Sequence, residues 1–433
     1  MTQTAFSWQK ITAREASYLA LLASLKGEKF IADTLEDWRK AANPQPKDFH
    51  LAQQIATGSA QRALTLDFFA QQLAEHKKLS LKLKEKALLR TALYQYYFLD
   101  RIPLYAIAND SVALAKKYCH RIFANYLNAV LRKLPEQPQP NTPSGDSLED
   151  LSIRYSYPSF FIKEIIQDYG SAKANQILEI GNHPSSTTLR VRCADQDSAL
   201  PESLVWMEPQ SYRVAQLKET AALPELAASP AFYIQNITPV CLLHGLLKEK
   251  TMNPNRILDL CAAPGGKLIA LHDFFPEAHL HANDLTPEKI ALLHENCQKY
   301  GLTAELTSGP GEQFTSPHSF DLIILDVPCS NTGVLNKRAE ARWRLTETAI
   351  KELEDKQLEL IKNAKKLLSP KGELWFMTCS ILKRENEQLA ARASQLFGLE
   401  IRHQQTIVPN REGWDGGYAC AFTLPTRKIL HSE

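Results

Sequence analysis

The feature that most limits what this chain can fold into begins at Pro254. From there, short apolar runs alternate with helical stretches. Arg256–Leu260 reads as a strand ending in the turn Cys261–Gly266, with a helix over Lys267–Phe274. Ala278–Asn283 reads as a second strand, ending at Asp284. Thr286 can cap the next helix, with Pro287 in its first position and Tyr300 at its end. Phe320–Leu325 and Glu373–Thr378 are further strands, separated by a long charged helix over Thr346–Leu368 that Ser369-Pro370 closes. This order predicts a mostly parallel, doubly wound sheet, whose ligands sit at the carboxyl ends of the strands.

The rest of the chain reads differently. Its 433 residues are 44% apolar and 23% charged, an ordinary globular profile with room for two or three domains. Residues 1–134 are poor in glycine and predict an all-α domain; Leu89, Leu93, Tyr96 and Tyr97 form a one-faced stripe. Residues 135–147, with four prolines and Gly145, read as a linker. Residues 148–250 mix helical signals with short strand candidates at Thr188–Arg192, Leu204–Met207 and Ala231–Gln235, which predicts a small α+β module before the α/β domain of 251–433.

Charge is unevenly spread. Residues 1–134 carry 20 Lys and Arg against 11 Asp and Glu, a local +9 that leaves −7 for the remainder. Six positive residues lie between Lys77 and Arg90 against Glu85 alone, which suggests a polyanion partner. No apolar run approaches the roughly 18 residues that span a bilayer, so no membrane partner is expected. Ala16–Leu25 lacks a cleavage site and continues as a helix, so it is not read as a signal peptide. The eight cysteines hold no C-x-x-C pair, and the 12 histidines show no metal spacing. The expectation is a cytoplasmic protein without a metal, and a monomer.

Four strand ends carry chemistry. Asp259-Leu-Cys-Ala-Ala-Pro-Gly-Gly-Lys267 puts adjacent glycines before a helix N-terminus, where backbone can approach a small ligand. Asp284, some 20 residues past that turn, is where an acidic side chain holds ribose hydroxyls or caps a helix. Asp326-Val-Pro-Cys329-Ser-Asn-Thr-Gly333 and Thr378-Cys379-Ser380 each place a cysteine just past a buried strand. One such cysteine is commonly a small apolar filler. Two, on strands expected to be near neighbours, point to thiol chemistry.

These motifs together resemble the S-adenosylmethionine-dependent RNA cytosine-C5 methyltransferases. In the first third, Arg101-Ile-Pro, Asn109-Asp110-Ser-Val-Ala-Leu-Ala-Lys and Tyr126-Leu-Asn-Ala-Val-Leu-Arg132 resemble the RNA-binding helical fold of the antitermination factor NusB. The combination is similar to bacterial 16S rRNA methyltransferases of the RsmB type, and Tyr233-Ile-Gln-Asn236 matches the motif that precedes their cofactor turn. The resemblance implies a NusB-like domain, a small module and a Rossmann-like catalytic domain. It implies S-adenosylmethionine bound by Cys261, Ala262, Ala263, Pro264, Gly265, Gly266 and Lys267, ribose bound by Asp284, and Asp326 between methyl donor and base. Cys379 would be the nucleophile and Cys329 would assist product release.

The chain departs from the family at Pro310, where an adenine-contacting aspartate is usual, at Arg338-Ala339-Glu340 in place of His-Pro-Asp, and at Lys383-Arg384 in place of Pro-Glu. These departures leave room for altered RNA choice. A tRNA or another rRNA site is the alternative substrate, and a non-catalytic RNA-binding assembly factor the alternative class.

Overall fold

The computed structural model describes residues 8–74, 80–136, 140–183, 185–192, 200–249 and 253–425. The chain divides into two compact units. The first comprises residues 1–182 with 335–344, the second 183–334 with 345–433.

The first unit is helical: α1 (Ala13–Leu25), α2 (Ile31–Ala42), α3 (Pro46–Gln61), α4 (Ala63–Leu73), α5 (Leu83–Phe98), α6 (Leu104–Tyr118), α7 (Arg121–Lys133), α8 (Leu148–Tyr155), α9 (Ser159–Tyr169) and α10 (Ser171–Ile180). Alanines at close crossings (Ala16, Ala52, Ala56, Ala92, Ala124) interleave with Leu21, Leu66, Leu93 and Leu127 in one core. The unit continues past the proline-rich stretch, where the sequence suggested a new module, because α8 docks on α4. Thr65 donates to the Ile153 carbonyl at 2.7 Å, and Ser156 accepts from Leu64 N at 2.9 Å. Arg154 also holds the stretch itself, through the Pro143 carbonyl at 2.9 Å.

The basic run differs from the sequence reading. Lys77 and Lys78 lie outside the described residues. Arg90 is buried in a bidentate pair with Asp67 at 2.8 and 2.7 Å, and Lys86 joins the same carboxylate at 2.9 Å. These two charges are spent internally, since a desolvated guanidinium needs its carboxylate. Arg338-Ala339-Glu340 also belongs to this core: Ala339 and Glu340 are buried, and Glu340 accepts from Ile31 N at 3.2 Å. Two of the three departing residues therefore act through packing, while Arg338 is exposed. Nearby, Arg342 is fully buried. It donates to the carbonyls of Gln61, Ser156, Gly181 and Leu335 and to Asn182 Oδ1 over 3.0–3.3 Å, and it lies 3.9 Å from the Tyr157 ring centroid.

The second unit opens with β1 (Thr188–Val191), β2 (Leu204–Trp206), β3 (Val214–Leu217), α11 (Leu223–Ala228), β4 (Phe232–Ile234) and α12 (Ile237–Lys248), its strands forming an antiparallel sheet in the order β2-β3-β1-β4. There follow β5 (Arg256–Asp259), α13 (Gly266–Phe274), β6 (His279–Asp284), α14 (Pro287–Tyr300), β7 (Ala304–Ser308), β8 (Phe320–Asp326), α15 (Glu347–Leu367), β9 (Leu368–Thr378), α16 (Glu387–Phe397), β10 (Glu400–Ile407) and β11 (Gly417–Thr423). The large sheet has the order β10-β11-β9-β8-β5-β6-β7, parallel from β9 to β7, with β10 and β11 antiparallel at one edge. Ser369-Pro370 ends α15 but lies inside β9, where proline is tolerated near a strand start. Apolar side chains fill both faces of this sheet.

Arg342→Met should strand the carbonyls of Gln61, Ser156 and Leu335 and the Asn182 amide oxygen in the helical core, whereas the Gly181 carbonyl keeps Gln61 as a donor. It should cost at least about 3 kcal/mol, since each unsatisfied buried acceptor costs 1–3. Urea unfolding followed by circular dichroism measures this, and Arg342→Lys, with charge but no planar fork, should fall between the variant and the parent.

Candidate active site

All eleven residues expected at the site lie in the second unit, at the carboxyl ends of β5, β6, β8 and β9 or in the segments that follow. The turn after β5 is held from beneath by backbone. Leu260 N donates to the Ile324 carbonyl at 3.1 Å and Ala262 N to the Asn283 carbonyl at 2.9 Å. Asn296 donates to the Pro264 carbonyl at 2.8 Å. Ala262, Gly265 and Gly266 are buried, Cys261, Ala263 and Lys267 half-buried, and Pro264 exposed.

The glycines are also required by packing. Gly265 caps α13 at φ +107°, where a side chain is strained, and a Cβ there would meet Leu293 Cδ1 at 2.7 Å. A Cβ on Gly266 would meet the Tyr233 ring at 2.8 Å, which ties the β4 motif to the turn.

Asp284 is a clamp as well as a ligand candidate. One carboxylate oxygen accepts from Ala263 N at 2.9 Å; the other accepts from Leu285 N at 2.7 Å and Lys289 at 2.8 Å. A carboxylate offers about four acceptor positions, so about one is left for a hydroxyl.

Lys267 and Asp326 form an ion pair across the sheet edge, with the Asp326 side chain 37% exposed. Burial works to lower the Lys267 ammonium's pKa, but Asp326, Asp259 and Cys379 outweigh it and hold it above lysine's ordinary value. Asp259, which sequence reading did not count among the site residues, is fully buried. Burial and then Asp326 push its carboxyl up to about 8, against Lys267 and the Cys261 backbone N–H. Burial, with Asp259, Asp284 and Asp326, also pushes the Cys261 thiol far up, which keeps it protonated and unreactive.

The two other cysteines meet. β8 and β9 pair in parallel with Asp326 opposite Met377, so both chains leave the sheet side by side. The Sγ atoms of Cys329 and Cys379 are 3.2 Å apart. Cys379 also donates to Asn331 Oδ1 at 3.3 Å, while Asn331, at φ +59°, donates to the Cys329 carbonyl at 2.9 Å. Cys329 is 7% exposed and Cys379 more open. The hydrogen bond to Cys379, then burial, then the charges of Cys379 and, after it, Glu385 hold the Cys329 thiol well above its ordinary value. Sequence reading missed Glu385 and Asn331 as site residues. The signal for Glu385 was the repeated Cys-Ser dipeptide, whose serines both reach it.

This donor set suits S-adenosylmethionine: an acceptor for ribose at Asp284, first-turn N–H groups of α13 for a carboxylate, and the carboxylates of Asp284 and Asp326 at two strand ends for a cationic ligand. Among the described residues, no group of three or more His, Cys, Asp or Glu is arranged to hold a metal ion, and no helix is long and apolar enough to cross a membrane.

Residues 246–422 match the family model described as 16S rRNA methyltransferase RsmB/F, and residues 11–136 match the NusB family. The chain is 30% identical over 393 residues to ribosomal RNA small subunit methyltransferase B of Serratia proteamaculans (strain 568), covering 86% of this chain and 89% of that one. It is 31% identical over 359 residues to the Sodalis glossinidius (strain morsitans) protein of the same name, covering 80% and 81%. Among solved structures, that of PH0851 superposes with a TM-score of 0.75 at 19% identity, over 96% of this chain and 99% of the other, which is a likeness of fold. The paired strand-end cysteines, the glycine turn and the helical first unit thus have one common explanation: the chain belongs to the family of S-adenosylmethionine-dependent 16S rRNA methyltransferases of the RsmB/F type.

Proposed function

We propose that this protein methylates C5 of a cytosine in 16S rRNA through a covalent intermediate, acting as a monomer in the cytoplasm and without a metal. Residues 1–134 would bind RNA and 251–433 carry catalysis, with 135–147 and 148–250 between them. The observation that carries the chemistry is the cysteine pair, 3.2 Å apart, after two adjacent parallel strands of which one ends in the Lys267-paired Asp326.

C5 of cytosine is a poor nucleophile. Addition of the Cys379 thiolate to C6 makes C5 enamine-like, which divides one hard step into two easier ones. Asp326, first protonated by its partner Lys267 or by water, delivers that proton to N3 as the sulfur adds, then takes it back once C5 is methylated. Bound S-adenosylmethionine supplies the methyl group as an electrophile on a sulfonium centre. Cys261–Lys267 and Asp284 hold that cofactor. Cys329, having released its own proton to water, removes H5; the C6–S bond breaks and the C5–C6 double bond returns. One proton leaves per methyl group added.

Cys329→Ala should stall before elimination. It should accumulate as an RNA-linked species that survives denaturing electrophoresis and disappears with ribonuclease. Cys379→Ala should show neither turnover nor adduct. An adduct in the second variant alone would reverse the two roles, and full activity in both would remove the covalent step.

The carboxyls around Lys267 give a pH test. In the folded chain Asp259 keeps its proton up to about pH 8, whereas an unfolded aspartate releases it near 3.8. Its contribution to stability is therefore full below about pH 4 and falls as pH rises to 8. Asp259→Asn should remove that slope. In urea unfolding, its stability relative to the parent should rise steadily from pH 5 to pH 8; a constant difference would contradict the buried, proton-retaining carboxyl.

A further inference from the structure

Glu385 is fully buried, and its four donors are all neutral. Ser330 N donates to Oε1 at 2.9 Å and Gln357 Nε2 at 3.3 Å; the Ser330 and Ser380 hydroxyls both donate to Oε2, the latter at 2.6 Å. Ser330 follows Cys329 and Ser380 follows Cys379. One carboxylate therefore grips the residue after each cysteine.

Two donors reach each oxygen of Glu385, an arrangement that favours the ionised carboxylate. Three hydroxyls share the cluster. Those of Ser330 and Ser380 reach Oε2, and the Thr332 hydroxyl lies 2.9 Å from Ser380 Oγ. Thr332 Oγ1 and Ser380 Oγ accept from Ile381 N and Leu382 N at 3.0 and 3.1 Å. Burial pushes the Glu385 carboxyl above its usual value, but the four donors oppose it.

The thiols consequently face opposite charges. Glu385 acts on Cys329, and the Lys267 ammonium acts on Cys379 from α13. Asp326 on β8 and Asp259 on β5 act first on Lys267.

We propose that Glu385 is a positioning residue of the reaction: it locks the two cysteine segments together and keeps the pair's shared proton on Cys329, leaving Cys379 free to attack. The proposal rests on the covalent reading above. It also orders the steps. While Cys379 is an anion, its partner holds the proton; once Cys379 is bonded to C6, that hydrogen bond is gone. Cys329 can then release its proton to water and become the base that removes H5.

The test is the pH dependence of iodoacetamide labelling in the full-length chain, followed separately at Cys329 and Cys379 by peptide mass spectrometry. Access sets the plateau rate, whereas ionisation sets the midpoint. In the parent, the Cys329 midpoint should lie at least one unit above that of Cys379; coincident or reversed midpoints overturn the proposal. In Glu385→Gln, Cys329 labelling at pH 7 should rise about tenfold, the equivalent of one pKa unit, while Glu385→Asp should keep the parent's order. Turnover of Glu385→Gln should fall with S-adenosylmethionine affinity unchanged by calorimetry. Unaltered Cys329 labelling in a folded Gln variant would overturn the proposal. Labelling requires no RNA, so it still decides the role of Glu385 if Cys379→Ala keeps its turnover and the covalent reading fails.

Discussion

Everything at this site depends on the parallel pairing of β8 with β9. Parallel strands point their carboxyl ends the same way, so segments 50 residues apart in sequence emerge beside each other. That register sets Asp326 opposite Met377 and brings two sulfurs to 3.2 Å. The central position of β8 in the sheet, covered by apolar residues on both faces, makes the register costly to shift: a slip of one residue would exchange the buried faces of the strand.

Around that register the site is a set of charges held unlike one another. Asp259, Asp284 and Asp326 stand at the ends of three strands. The first is buried and retains its proton, the second is consumed largely in holding the turn, and the third is half-exposed and paired with Lys267. The same residue type thus serves three purposes because burial and hydrogen bonding differ at each strand end. Cys261 and Cys329 are both held protonated, the first mainly by burial and the second mainly by its hydrogen bond to Cys379 and then burial.

The helical unit shows how one segment can belong by sequence to one part and by packing to another. Residues 335–344 follow directly on the Cys329 segment, yet they pack with the first unit. Arg342 sits at the centre of that packing, and nothing in its sequence context distinguishes it from the exposed arginines of the same chain. A guanidinium with five donors needs acceptors from several segments at once, and only the folded chain supplies them. Arg90 is similar: within a basic run it reads as a free charge, and Asp67, 23 residues away, makes it an internal one.

The sequence alone determined the strand–helix rhythm from residue 254, the turn, and the three motifs that carry Asp326, Cys329 and Cys379. These are local patterns, written in periodicity, caps and strand ends, and a short window of chain contains each one whole. The antiparallel strands β10 and β11 and the extension of the helical unit to Asn182 were not legible, because pairing and docking partners define them. Tertiary structure alone decided that Cys329 and Cys379 touch, that Asp259 is cut off from water, and that Glu385 serves both cysteine segments. The physical reason is common to all three. Hydrogen-bond distance, desolvation and Coulomb interaction depend on separation in space, and the fold sets that separation for residues the chain holds far apart.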